Sequence, residues 1–158
     1  MPVDDNTIIR FATAHDAGII AEHRARMFQD TGRLDEEQAT AMITQLVPLL
    51  QTMLASGEYI GWLVVSEENA VVAGAGVQVR KLLPRPETSV AREALVVNVY
   101  VQPDYRRHGL ARRLMAAVLD WCREQGIERV ALHASHMGRP LYESLGFTLT
   151  NELVFYIK

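Results

Sequence analysis

Residues 98–112 constrain the fold of this chain more than any other stretch. The run Asn98-Val-Tyr-Val-Gln-Pro-Asp-Tyr-Arg-Arg-His-Gly-Leu-Ala-Arg112 begins as an apolar strand, stops at a proline, turns, and opens a helix with a glycine amid positive charge. At a helix N-terminus, unpaired amide N–H groups and the positive end of the helix dipole point the same way. The stretch therefore predicts an anion site, with phosphate as the expected ligand.

Composition and charge limit the ligand further. The chain has 158 residues, 49% of them hydrophobic, which is typical of one soluble domain over residues 1–158. Sixteen basic and nineteen acidic residues give a net charge of -3, which argues against generic nucleic-acid binding. Basic residues nevertheless cluster at positions 106–113. That local excess indicates a discrete anionic ligand rather than a long polyanion.

Location is predicted from cysteine usage and from apolar runs. The single cysteine, Cys122, cannot form an internal disulfide, and the first residues carry no basic region followed by an apolar run. No apolar stretch reaches membrane-spanning length by inspection, because residues 91–101 are interrupted by charged and polar side chains. We therefore expect a cytoplasmic protein with no membrane or nucleic-acid partner.

Apolar periodicity predicts the order β, α, α, β, β, β, α, β, α, β, which is a mostly antiparallel sheet carrying helices on its faces. Asp35 and Gln38 predict a capping box at the start of the second helix, and Pro48 is expected to kink or split it. The predicted strands are 7–11, 59–66, 70–81, 95–101, 129–134 and 147–157, and the other helices are 15–29, 110–124 and 138–145.

Three motifs in order carry a family resemblance. The first is the strand 99–103, the second is Arg106-Arg-His-Gly109-Leu-Ala111, and the third is Leu141-Tyr-Glu-Ser-Leu-Gly-Phe147. Together they resemble the GNAT superfamily of acyl-CoA-dependent N-acetyltransferases. The resemblance implies an α/β (α+β) fold with a mixed, mostly antiparallel sheet of about six to seven strands, about four helices, and a splay between the fourth and fifth strands.

The same resemblance implies acetyl-CoA as co-substrate and no metal. Backbone groups of Val99 and Val101 would hold the pantetheine arm, and residues 106–111 the pyrophosphate. Gly109 lets the backbone approach a phosphate closely. Arg112 can contact the cofactor or simply solvate a helix face, and Ser135 can cap a helix, touch the cofactor, or do both. The expected cofactor-binding residues are Val99, Tyr100, Val101, Arg106, Arg107, His108, Gly109, Leu110, Ala111, Arg112 and Ser135.

Tyr142 stands where the family places the general acid. A phenol is protonated at neutral pH and can donate to a departing thiolate. The alternative is a tyrosine that only packs under Phe147. The general base is left open: Leu95 and Val97 occupy the positions where several family members carry a Glu or His, and neither can accept a proton.

Candidates for the base are Glu93, just before those positions, His133 on the next strand, and a water molecule. His133 can equally be a core histidine bonded to the backbone.

The acceptor amine is also left open among polyamines, aminoglycosides, amino acids and protein N-termini. Met27, Phe28 and Asp30 predict a pocket lip, with an ordinary helix end as the alternative. Asn98, a polar residue inside a valine strand, faces the acyl group or acceptor, bonds a neighbouring loop, or marks a bulge.

The hypothesis is an enzyme that transfers an acetyl group from acetyl-CoA to a primary amine of a small molecule or peptide, with Tyr142 as general acid. The alternative is a non-catalytic acyl-CoA sensor or partner-binding module, and a weaker one is another kind of nucleotide-phosphate binder. The last predicted strand is apolar enough to pair across a homodimer, although an ordinary edge strand has the same pattern.

Overall fold

A computed structural model describes residues 6–158. Four α-helices and five strands form the described part of the chain, with short 3-10 helices at Ala14–Asp16 and Pro103–Tyr105. In chain order the elements are β1 (Ile8–Phe11), α1 (Ala17–Asp30), α2 (Glu36–Ser56), β2 (Tyr59–Val65), β3 (Val71–Lys81), β4 (Arg92–Val101), α3 (Leu110–Glu124), β5 (Arg129–Leu132) and α4 (Arg139–Ser144).

The strands form one sheet in the order β1-β2-β3-β4-β5. The first four pair antiparallel, and β5 pairs parallel with β4. The predicted mixed, mostly antiparallel fold is therefore confirmed, with five strands rather than six to seven. The predicted strand 147–157 is wrong for the single chain, where these residues have no regular secondary structure. A strand needs a neighbour for its backbone N–H and C=O groups, and none pairs with this segment among residues 6–158.

Side chains of each strand alternate between two cores. In β2, Trp62 and Val64 enter the cluster under α3, whereas Tyr59 and Leu63 enter the cluster under α1 and α2. This alternation follows from the two-residue period of a strand. The sheet is therefore covered by α3 on one face and by α1 and α2 on the other.

Local sequence explains how α2 begins and ends. The Asp35 carboxylate accepts from the Gln38 amide, the Gln38 side chain accepts from the Asp35 amide, and the predicted capping box is confirmed. Gly57 ends the helix with φ of 82°, a left-handed conformation that glycine adopts without strain. Pro48 lies inside the 21-residue helix and does not split it. Proline has no N–H to donate to the carbonyl four residues back, and the helix nevertheless continues to Ser56.

By length and composition, α2 could cross a membrane, contrary to the expectation that no apolar stretch has that capacity. In the structure its side chains Ile43, Leu46 and Leu50 pack in the cluster shared with α1 and β2.

Candidate functional site

Strands β4 and β5 separate halfway along β4. Their pairing begins where Glu93 lies opposite Arg129 and ends where Val96 lies opposite Leu132. Strand β4 then continues alone to Val101. The predicted splay between the fourth and fifth strands is confirmed, and it leaves residues 97–101 with an open edge on the β5 side within the described chain. The Gln102 amide donates to the carbonyl of Val72 in β3. Because successive residues of a strand point their backbone groups to opposite sides, the N–H and C=O of Val101 face the open edge.

A bulge interrupts β4 at Asn98. The pairing with β3 jumps from Gly74 with Tyr100 to Gly76 with Val97, and Asn98 has φ of 57°. Asparagine tolerates this left-handed conformation better than most residues do. Of the alternatives drawn from the sequence, Asn98 marks a bulge, and its buried amide bonds within the protein.

Both ends of the Asn98 amide have partners. The Nδ2 atom donates to the Tyr59 hydroxyl at 3.0 Å, and Oδ1 accepts from Arg24 at 2.8 Å. Burial raises the pKa of Tyr59 to about 12, and the hydrogen bond with Asn98 offsets part of that rise. Tyr59 is therefore a neutral hydroxyl under the bulge.

The turn after β4 has the predicted anion-site geometry. The 3-10 helix Pro103–Tyr105 leads to Arg107 and Gly109, whose φ angles are 65° and 77°. The first bond of α3 runs from the Arg113 amide to the Gly109 carbonyl at 3.0 Å. The amides of residues 110–112 therefore precede the first intrahelical bond and lie at the positive end of the helix dipole.

Arginine side chains around this turn contact protein groups. Arg106 donates Nε to the Val101 carbonyl at 2.8 Å and Nη2 to Asp30 at 2.9 Å. Arg112 donates to the Ser144 hydroxyl at 2.9 Å, and Arg113 donates to the Thr7 hydroxyl at 2.7 Å. Arg106 thus occupies one acceptor on the open edge of β4, and the turn presents its backbone amides and the exposed Arg107 to solvent.

The other predicted cofactor residues serve the core through their side chains. Leu110 is buried, Val99 and Val101 pack against the same α3 cluster, and Tyr100 is buried on the α1 face with its ring 4.9 Å from His23. Their contribution to cofactor binding would come from the backbone, whereas His108 is exposed and Ala111 is half-buried.

Tyr142 lies on α4, half-buried, with its ring 5.9 Å from Phe147 in an edge-on arrangement. The packing alternative drawn from the sequence is therefore real. Burial raises the pKa of Tyr142, which keeps the phenol protonated and able to donate.

Two predicted residues lie between β5 and α4. The Ser135 hydroxyl accepts from the Gly138 amide at 3.1 Å and so closes the turn that precedes α4. The N-cap of α4 is Gly138, without a side-chain cap, so the prediction that Ser135 caps this helix is wrong. His133 is not a core histidine: its side chain is 67% exposed and its Nδ1 lies 3.6 Å from the Glu152 carboxylate. The alternative of a backbone-bonded core histidine is wrong.

Glu93 is fully buried, and Arg80 and Arg129 hold its two carboxylate oxygens. The three residues lie on β3, β4 and β5, so the ion pairs tie three neighbouring strands together. Guanidinium groups hold both carboxylate oxygens inside the fold, so neither oxygen is open to an acceptor amine. Glu93 therefore has a structural role between the strands and is not the candidate base.

At the end of α1, where the sequence predicts the lip of the acceptor pocket, arginine side chains contact Phe28 and Asp30. Phe28 is flanked by guanidinium groups of Arg24 and Arg33, at 5.1 and 4.7 Å from the ring centre. Asp30 pairs with Arg106 and so joins α1 to the turn after β4, while Met27 is half-buried.

A groove of about 410 Å³ lies between α1 and the end of β4. Its acidic lining residues are Glu22, Asp30 and Asp104, and Arg26 is also present. His23 lines both this groove and a small closed space beside the Asn98 bulge.

His23 is the residue that sequence reasoning missed. It is 3% exposed, its Nε2 has no hydrogen-bond partner in the described chain, and burial lowers its pKa to about 4. The sequence signal was the position of His23 on the apolar face of α1, at helical spacing from Ile19 and Ile20.

Comparison with known proteins decides the family. A model described as the acetyltransferase (GNAT) family matches residues 20–147. The chain belongs to the acetyltransferase (GNAT) family. A crystal structure of a GCN5-related N-acetyltransferase from Ralstonia eutropha JMP134 has a TM-score of 0.89 at 31% identity, covering 96% of this chain and 99% of that one.

Other GNAT relatives carry a cofactor or a named substrate class. A predicted acetyltransferase from Clostridium acetobutylicum, solved with acetyl-CoA, shares the fold at 24% identity and a TM-score of 0.85, with 96% of both chains covered. An aminoglycoside N(6')-acetyltransferase type 1 from Serratia marcescens is 31% identical over 113 residues, 69% of this chain and 76% of that protein. The chain is 26% identical to human N-acetyltransferase 8 over 121 residues, which are 73% of this chain. The chain spans about half the length of that relative.

Family membership confirms the predicted class, an acetyltransferase (GNAT) domain, over residues 20–147.

Proposed function

We propose that this GNAT protein transfers an acetyl group from acetyl-CoA to the primary amine of a small molecule. The observation that carries the proposal is the continuity of two binding features on one segment. The open edge of β4 at residues 97–101 runs directly into the amide-lined turn before α3. A pantetheine arm needs such an edge, and a pyrophosphate needs such amides.

Bound acetyl-CoA supplies a thioester that an amine can attack, with a thiolate as the leaving group. The residues of this chain would orient it. Amides at 110–112 and the positive dipole end of α3 hold the phosphates, and Gly109 lets the backbone approach them closely. Val99 and Val101 offer backbone groups to the arm, although pairing at the Val101 carbonyl competes with Arg106.

Tyr142 is proposed as the general acid that protonates the thiolate. The attacking amine loses one proton to water, and Tyr142 regains its proton from solvent. Its raised pKa keeps the proton available at neutral pH, and its side chain packs against the same core cluster as Val99 and Val101 of the open β4 edge, which supports the proposal.

A cationic small molecule is proposed as the acceptor, entering by the groove between α1 and β4. Three carboxylates, Glu22, Asp30 and Asp104, line that groove, and the two at Glu22 and Asp30 pair with arginines. Such a lining attracts an ammonium group. The aminoglycoside acetyltransferase among the relatives supports the small-molecule class.

The test follows thiol release with acetyl-CoA and a panel containing a polyamine, an aminoglycoside, an amino acid and a peptide with a free N-terminus. Tyr142→Phe should lower kcat by roughly 10²- to 10⁴-fold with acetyl-CoA affinity unchanged. Tyr105→Phe is the matched control, because Tyr105 is another half-buried tyrosine packed against the same core cluster.

Failure of the unmodified protein to bind acetyl-CoA in calorimetry would sink the proposal. If the unmodified protein and the Tyr142→Phe variant both bind acetyl-CoA and neither acetylates any acceptor, that result would support the alternative of an acyl-CoA sensor. A cytoplasmic location stays a prediction.

A further inference from the structure

Arg24 and Arg33, named here the arginine pair, both lie against the ring of Phe28. The guanidinium carbon of Arg24 is 5.1 Å from the ring centre, and that of Arg33 is 4.7 Å from it. Arg24 belongs to α1, and Arg33 lies in the loop between α1 and α2. Sharing one ring keeps the two positive charges within about 10 Å of each other, a distance at which charges still interact in dilute salt.

Neither member of the arginine pair has an acidic partner. No carboxylate forms an ion pair with either guanidinium among residues 6–158. Other arginines in this region differ, because Arg26 pairs with Glu22 and Arg106 pairs with Asp30. The arginine pair therefore carries two positive charges for which the described fold supplies no counter-charge.

Arg24 is the more buried member of the arginine pair. It is half-buried, whereas Arg33 is exposed. Burial lowers the pKa of Arg24, Tyr59 offsets part of that fall, and the neighbouring charge of Arg33 adds to it. An arginine side chain nevertheless stays charged at physiological pH. The fold thus keeps a positive charge partly out of water, which costs free energy unless an anion compensates it.

One edge of the Arg24 guanidinium is open to a ligand. Nη1 donates to Oδ1 of Asn98 at 2.8 Å, while Nε and Nη2 donate to no group among residues 6–158. Neither nitrogen is sealed in the core, because His23 Nε2 is the one fully buried side-chain nitrogen or oxygen without a partner in the described chain. The Nε and Nη2 donors are parallel and match two oxygens of a carboxylate or phosphate.

The arginine pair lies beside the open edge of β4. Asn98, the partner of Arg24, is one of residues 97–101, which the proposed function assigns to acetyl-CoA. Two residues further along β4, Tyr100 lines the acidic groove proposed to attract the ammonium group of the acceptor. Two residues of a strand span about 7 Å. A single small molecule is therefore long enough to meet both features.

We propose that the arginine pair binds a carboxylate or phosphate group of the acceptor, so that the acceptor carries both an amine and an anion. This inference rests on the proposed acetyl transfer and narrows its acceptor class. Arg24 contributes the parallel donors Nε and Nη2, and Arg33 contributes a second, exposed charge. An amine without an anionic group leaves the arginine pair uncompensated, which makes the pair a source of selectivity.

Matched acceptors test the proposal. They are ω-amino acids of several chain lengths, the corresponding amides and the corresponding aminoalkyl phosphates. The amide keeps the amine and the chain length and removes only the negative charge. Thiol release from acetyl-CoA gives kcat/KM for each acceptor. The unmodified protein should prefer an anionic acceptor over the amide by about 10- to 100-fold, because hydrogen bonds between charged groups are that strong. The larger of the two preferences identifies carboxylate or phosphate.

Substitution of Arg24 should change the preference and not the chemistry. Arg24→Met should abolish the preference and leave kcat/KM for the amide within a few-fold. Arg24→Lys should keep part of the preference, because lysine keeps the charge and lacks the parallel donors. Arg123→Met is the matched control, since Arg123 is an exposed arginine on α3 that pairs with Asp120. Circular dichroism of each variant confirms that it is folded.

Arg33→Met is the second variant, because Arg24→Met also removes the bond to Asn98 and can weaken the fold. Arg33 is exposed, and its side chain donates no hydrogen bond within residues 6–158. Its substitution should leave the fold intact and lower the preference for the anionic acceptor about threefold, with a smaller effect at high salt.

The outcomes separate this inference from the proposed function. Equal kcat/KM for acids, phosphates and amides in the unmodified protein overturns the inference and leaves acetyl transfer standing. A preference that survives unchanged in both Arg24→Met and Arg33→Met overturns it too. If no amine is acetylated, the proposed function fails, and calorimetry of the CoA-saturated protein decides the inference. Binding of an anionic acceptor that is lost in Arg24→Met upholds the anion site, and no binding overturns it.

Discussion

The amide of Asn98 donates to the hydroxyl of Tyr59 at 3.0 Å, which joins the middle of β4 to the first residue of β2. These strands are not neighbours, because β3 runs between them. The bond passes over β3 at Gly76, where a Cβ would lie 1.9 Å from the Tyr59 oxygen. Glycine at that position is therefore what allows the bond to form.

Substitutions at Asn98 should separate backbone strain from the side-chain bond. Asn98→Gly keeps the φ of 57° without strain and loses the amide, whereas Asn98→Ala loses the amide and retains the strain. We expect Asn98→Ala to be less stable than Asn98→Gly by about 1 kcal/mol in urea unfolding. Equal stability would mean that the bulge relaxes when the side chain is removed.

Acid should destabilise the protein partly through His23. Its pKa is about 4 in the folded state and near 6.5 when unfolded. Between these values the unfolded chain binds a proton that the folded chain excludes, so stability falls as the pH falls from about 6.5 to 4. From pH 7 to 4.5 the loss from this group is about 2 kcal/mol.

His23→Gln removes this titration. Urea unfolding at both pH values should show that the variant loses about 2 kcal/mol less than the unmodified protein over the same interval. His15→Gln is the control, because that histidine lies at the surface in the 3-10 helix before α1. Parallel losses in all three proteins would contradict a neutral, buried His23.

Glu93→Gln should lower stability and spare the chemistry. The change removes the charge that holds Arg80 and Arg129, and both guanidiniums can turn partly into solvent. We expect a loss of roughly 1–3 kcal/mol in the free energy of unfolding. Turnover per folded molecule should stay within a few-fold, whereas removal of a general base would lower it by about 10²-fold or more.

Glu128→Gln is the matched control for that experiment, because Glu128 is an exposed glutamate one residue before β5. It should leave both stability and turnover unchanged. A large fall in kcat for folded Glu93→Gln would restore Glu93 as the base.

Asp104→Asn should weaken binding of a cationic acceptor. Asp104 is exposed and lines the groove between α1 and β4. Removing its charge should raise the acceptor KM about 3- to 10-fold, more at low salt, with the acetyl-CoA KM unchanged. Asp120→Asn, an exposed carboxylate on α3, is the control. An unchanged acceptor KM would place the amine elsewhere.

Sequence by itself determined the local structure of residues 98–112. Residues 98–112 predicted a strand, a turn and a helix start because each depends on local chemistry: valines that suit a strand, a proline that stops it, and a glycine that accepts φ of 77°. Helix α3 was predicted with its observed ends, and the capping box at Asp35 likewise depends on residues three apart.

Tertiary structure decided what depends on residues distant in the chain. Glu93 looked available as a base until Arg80 and Arg129 were brought beside it, 13 and 36 residues away. Burial in the folded chain is the main cause of the lowered pKa of His23. The predicted strand 147–157 also depended on distant residues. Its side chains favour a strand, but a strand forms only where another strand supplies hydrogen-bond partners. Within residues 6–158 no other strand pairs with this segment.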